Sequence, residues 1–100
     1  MSKLTPAERK KLEDSLKYIP LPLMSVADDN LWIKAKLKRI PERYRQETAY
    51  LYSLTFFRKL HDRSVPVLKR QGIARERANT LLRTIVDLYE KSNTNDNGNQ

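Results

Sequence analysis

His61 is the only histidine in a chain of 100 residues that has no cysteine. With no second histidine and no thiolate to share a metal, it lacks the partners of a zinc site, and beside Asp62 and Arg63 it reads as a helix-surface residue rather than a catalyst. Asp28-Asp29-Asn30 offers the oxygen ligands a hard cation takes. The glycine and distal glutamate of an EF-hand loop are missing, however, so capping of a following helix by Ser25 or Asp28 is the simpler use of these side chains. Two glycines are too few for a phosphate-cradling loop. No serine stands in a nucleophile-elbow pattern either. The expectation is a protein that is not an enzyme and takes no metal or cofactor.

What the chain does carry is positive charge. Twenty Lys and Arg against twelve Asp and Glu give +8 at pH 7, which draws a protein toward polyanions or acidic protein faces. The excess sits in two blocks. Residues 34–45 hold Lys34, Lys36, Lys38, Arg39, Arg43 and Arg45 against Glu42 alone; residues 58–83 hold Arg58, Lys59, Arg63, Lys69, Arg70, Arg75, Arg77 and Arg83 against Asp62 and Glu76. Brought onto one face, they would hold a phosphate backbone or an acidic surface. The candidate contact residues for a partner or nucleic acid are Lys34, Lys36, Lys38, Arg39, Arg43, Arg45, Arg70, Arg75, Arg77 and Arg83. Pointing apart, they would serve only solubility.

The elements that must position these groups are helices. Five prolines, at 6, 20, 22, 41 and 66, cut the chain into segments whose apolar residues recur at three and four. The predicted fold is all-α: a single-domain bundle of four to five helices over residues 1–91, built around a long central helix, with a disordered tail at 92–100 that has no apolar side chain to repay ordering. Thr5-Pro6-Ala7-Glu8 is a capping box with proline at the first helical position, opening a helix over 6–18 with a thin stripe of Leu12, Leu16 and Ile19. Residues 19–24 alternate proline with large apolar residues. They should run extended as a strap, with Leu21, Leu23 and Met24 along a hydrophobic groove. A second helix carries Leu31, Ile33, Leu37 and Ile40, with Trp32 half-buried beside it, until Pro41. The central helix, 41–63, is apolar over a wide arc of Ala49, Tyr50, Tyr52, Leu54, Phe56, Phe57 and Leu60, which implies contacts on more than one side. Tyr44 is expected to lie more freely. A short helix at 67–71 should close at Gly72, and a last helix should run over 74–91 on Ala78, Leu81, Leu82, Ile85, Leu88 and Tyr89.

Within that last stretch, residues 67–83 have the look of a helix-turn-helix, with Arg75, Arg77, Asn79, Thr80 and Arg83 as readers of bases or phosphates. The match is incomplete, because Gln71 falls where an apolar residue is usual and Ala78 is small for its buried position. Pro66, between Val65 and Val67, either starts a helix or presents an X-Pro bond to a prolyl isomerase. Residues 1–6 lack the apolar core of a signal peptide, and no run of about 18 apolar residues occurs, so the expected place is the cytoplasm rather than a membrane.

The segments Leu16-Lys17-Tyr18-Ile19-Pro20-Leu21-Pro22-Leu23 and Trp32-Ile33-Lys34-Ala35-Lys36, the core between Tyr50 and Leu60 and the end from Arg83 to Lys91 resemble the small accessory proteins of lambdoid-phage recombination clusters, in particular the Abc-type anti-RecBCD proteins. The resemblance covers most of the chain through texture and size, and transfers no functional residue. It implies a phage protein in the host bacterial cytoplasm that binds the host RecBCD helicase–nuclease, modulates it by contact and assists phage recombination. The alternative is a DNA-binding protein using residues 67–83. A third class is assembly through an exposed part of the central helix.

Overall fold

The computed structural model describes residues 4–98, with side chains as far as Ser92. Four α-helices follow one another: α1 (Pro6–Ser15), α2 (Asn30–Lys38), α3 (Glu42–Leu60) and α4 (Val67–Gly98), with a single 3-10 turn (Ala27–Asp29) leading into α2. The tail expected to be disordered, 92–100, lies outside the residues whose side chains are described, Ser92 excepted.

α1 starts as its sequence dictates. The Glu8 amide donates to Thr5 Oγ1 at 3.2 Å and the Thr5 amide donates to Glu8 Oε1 at 3.0 Å, with Pro6 at a position that needs no donor. No residue of α1 itself is buried. The helix is held through its thin stripe: half-buried Leu12, then Leu16 and Ile19 in the turn beyond its end. It stops at Ser15 rather than Tyr18, where the Ser15 hydroxyl bonds back to the Leu12 carbonyl at 2.8 Å.

The core joins Ile33, Leu37 and Ile40 to Ala49, Tyr52 and Phe56 of α3 and to Ala74, Ala78, Leu82 and Val86 of α4. Alanines at 74 and 78 let α4 approach its neighbours closely. Contacts fix the directions: Tyr44 stacks on Tyr89 and Tyr52 reaches Asn79, so α3 runs antiparallel to α4. Asp29 meets Arg75 and Arg39 meets Glu90, so α2 runs parallel to α4.

Two expectations about α4 need correcting. Residues 67–71 and 74–91 are not separate helices; one helix of 32 residues passes through Gly72. Gly72 does not adopt the left-handed conformation that would close a helix, since no residue described has a positive φ. A glycine inside a helix costs only about 1 kcal/mol, which the continuous Ala74–Ala78–Leu82–Val86 packing row outweighs. There is accordingly no turn at 72 and no helix-turn-helix in 67–83. α4, not α3, is the longest helix, and it rather than α3 packs most extensively, against both α3 and α2.

The strap forms neither helix nor strand and bends at Ile19, Leu23 and Met24; of the three side chains expected along a groove, only Met24 packs against the core. Ile19 and Pro22 point inward, while Leu21 and Leu23 are exposed, Leu23 at 92%. Side chains of an extended chain alternate, so the buried Pro22 leaves its neighbours Leu21 and Leu23 turned outward, and Ile19 is buried on the other side of a bend. Ser53 pins the strap to α3: its hydroxyl accepts from the Leu23 amide at 2.8 Å and donates to the Ala49 carbonyl at 3.1 Å.

Candidate interaction surface

The ten basic candidates divide into those that hold the fold together and those that face solvent. Arg45 belongs to the first group. Its Nε donates to the carbonyls of Leu37 (3.1 Å) and Ile40 (2.9 Å) and its Nη2 to that of Lys38 (2.9 Å), closing the C-terminal end of α2, where unpaired carbonyls and the helix dipole favour a cation. Arg70 donates from Nε to the Val65 carbonyl at 2.8 Å and fixes the loop into α4. Arg39 pairs with Glu90 at 2.9 Å across α2 and α4.

Arg75 and Asn79, expected to read bases, are also committed internally. Arg75 Nε and Nη2 each lie 2.6 Å from the Asp29 carboxylate, Asn79 Nδ2 donates to the same carboxylate at 3.1 Å, and Tyr52 donates its hydroxyl to Asn79 Oδ1 at 2.5 Å. The hydrogen bond from Arg75 holds the Asp29 carboxyl below its ordinary range, with Asn79 adding to it against the effect of burial. Asp29 in turn raises Arg75. Burial, with the nearby Asp29 charge, pushes the Tyr52 phenol up to about 12. Ser25 or Asp28 was expected to cap α2; α2 instead begins without a side-chain cap, and Ser25 donates to Asn30 Oδ1 at 2.7 Å. Sequence alone gave no signal for this network because its hydrogen-bonded partners lie 27 to 50 residues apart.

The remaining cations point in several directions. At about 100° per residue, Lys34 and Lys38 share one flank of α2 while Lys36 and Arg39 share the other, next to α4. Arg77 lies about 200° round α4 from Arg75. The two basic blocks therefore do not form one face. They touch at Trp32, where Lys36 Nζ is 5.8 Å and Arg83 Cζ 5.6 Å from the ring centroid, within reach of the attraction between a cation and an aromatic face. Arg43 lies 4.9 Å over Tyr44, which is half-buried against Tyr89 rather than free.

His61 is exposed, its ring 4.3 Å from that of Phe57 and its Nδ1 3.0 Å from the Phe57 carbonyl. Phe57 was expected in the core and is 47% exposed instead. No cluster of metal-ligating side chains occurs among the described residues, and none of the described helices is long and apolar enough to cross a membrane.

The most exposed apolar surface lies where α4 begins. Val67 is 70% and Leu68 98% exposed, next to exposed Pro66 and half-buried Val65, with Arg63 and Lys69 on either side. This apolar knob is rigid. Pro66 fixes its own φ, its carbonyl accepts from the Lys69 amide at 2.9 Å, and Arg70 holds the Val65 carbonyl. Its signal in the sequence was the Val-Pro-Val-Leu run, which reads equally well as buried.

No family model matches the chain, and no curated protein or solved structure proved similar to it.

Proposed function

We propose that this chain is a non-catalytic targeting protein that binds a larger protein, with the RecBCD helicase–nuclease as the partner that the sequence resemblance names, and that it modulates that enzyme by contact in the bacterial cytoplasm. The observation that carries the protein-binding reading is the knob at the start of α4: Leu68 is almost wholly exposed on a rigid helical turn, beside Val67 and Pro66. A preorganised apolar anchor flanked by the cations Arg63 and Lys69 suits an apolar pocket with an acidic rim, because little freedom is lost on docking. The same exposure of Pro66 between two valines supports its presentation to a prolyl isomerase.

Nucleic-acid contact is a second reading, favoured by the meeting of Lys36 and Arg83 at Trp32. It no longer draws on a helix-turn-helix. The test is affinity capture from bacterial extract with and without nuclease. Recovery of RecBCD that survives nuclease and moderate salt is expected; retention that vanishes with nuclease, or falls steeply with salt, would transfer the function to DNA.

A further inference from the structure

α3 is apolar on two sides, and only one of them is used within the chain. Ala49, Tyr52 and Phe56 face the core, while Tyr50 (61%), Leu51 (39%) and Phe57 (47%) remain exposed on the far side with half-buried Leu54 between them. A helix that is apolar nearly all round is usually covered nearly all round. Beside Leu51 the surface continues into a groove of about 430 Å³ against α4, lined by Tyr44, Ile85, Tyr89 and Leu88, the last 62% exposed.

Charge identifies what covers this face. Glu47, Leu51, Leu54 and Arg58 follow at spacings of four, three and four, which places them in one stripe about three turns long. The order acid, leucine, leucine, base is its own complement when read backwards. A second copy laid antiparallel about a two-fold axis near residues 52 and 53 sets each Glu47 against the other Arg58, and each Leu51 against the other Leu54. Glu47 and Arg58 take part in none of the ion pairs formed by the described residues, so both are available. A two-fold contact requires one patch to complement itself, and this stripe does.

We infer that the outer face of α3 is a homodimer interface, closed by two symmetry-related Glu47–Arg58 pairs around a Leu51–Leu54 centre. The chemistry is independent of the knob at Leu68, which lies outside this stripe.

The test is sedimentation of the full chain over a wide concentration range, with three variants at these exposed positions: Glu47→Arg, Arg58→Glu and the double exchange of both. Each single reversal creates two like-charge contacts by symmetry and should weaken dimerisation about tenfold or more, while the double exchange restores complementarity and should return it to within about threefold of the parent. Circular dichroism checks that helix content is unchanged. A chain that stays monomeric to roughly 1 mM, a dimer indifferent to the single reversals, or a double exchange without rescue would each overturn the interface. Loss of RecBCD capture in Arg58→Glu by a monomeric parent would likewise give this face to that partner and not to a second copy.

Discussion

Asp29 and Arg75, 46 residues apart in sequence, meet in a two-pronged pair with both N···O distances at 2.6 Å. The pair locks the start of α2 to α4, and Asn79 and Tyr52 extend the lock to α3. Three helices that share one core are thereby also linked through one carboxylate. Replacement Asp29→Asn should cost about 1 kcal/mol, since Arg75 is partly solvated, and lower Tm by about 4–8 °C. The sign with pH follows from the lowered Asp29 carboxyl. The unfolded carboxyl titrates near 3.9, so the contribution is complete above that value and disappears as pH falls through the lower folded one. Thermal melts of both proteins should differ at neutral pH and converge in acid.

Tyr52 shows the opposite dependence. Its phenol is pushed up to about 12, above the unfolded value near 10, so its contribution is complete below pH 10 and is lost as pH rises toward the folded value. Tyr52→Phe should lose about 1 kcal/mol at neutral pH, leaving Asn79 Oδ1 without its donor, and should show a shallower fall of stability above pH 10. Denaturant titrations at neutral and alkaline pH measure both effects.

Gly72→Ala distinguishes one helix from two. An added Cβ meets nothing within 4 Å, and the backbone there has no positive φ. The substitution should stabilise the protein by about 0.5–1 kcal/mol in equilibrium unfolding. A helix-closing glycine in the left-handed region would give destabilisation instead.

Arg45 and Arg77 are both arginines of the basic blocks with opposite expected behaviour. Arg45→Gln removes the guanidinium from three carbonyls at the C-terminal end of α2 and just beyond it and should cost about 1–3 kcal/mol with loss of helical signal. Arg77→Gln, at an exposed position, should stay within about 0.5 kcal/mol of the parent.

Local chemistry was legible in the sequence. The Thr5–Glu8 capping box, the inward residues Ile33, Leu37, Ala78 and Leu82, and the break at Pro41 all follow from neighbours a few residues apart, and the all-α bundle follows from them. What depended on distant partners was not legible. Leu21 and Leu23 face outward because Pro22 between them is the residue that is buried, a choice of face that an alternating run of proline and leucine leaves open. Gly72 is helical because packing of Ala74 and Ala78 outweighs its own preference. Arg39, Arg45, Arg70 and Arg75 were candidates for partner contact on charge alone; the carboxylates that engage Arg39 and Arg75 become neighbours only once the helices assemble, while Arg45 and Arg70 turn back on carbonyls five to eight residues before them. Leu68 escaped notice for the converse reason, since its exposure is a property of where α4 starts relative to the bundle.

The most direct measurement is the affinity of the purified chain for purified RecBCD without DNA, compared between the parent and Leu68→Ala. Leu68 makes no intramolecular contact of consequence at 98% exposure, so stability should be unchanged, while losing its burial in a partner pocket should weaken binding by about 2 kcal/mol, roughly 30-fold. Equal affinity of the two proteins, or no binding by the parent until DNA is added, would contradict a targeting role built on the start of α4.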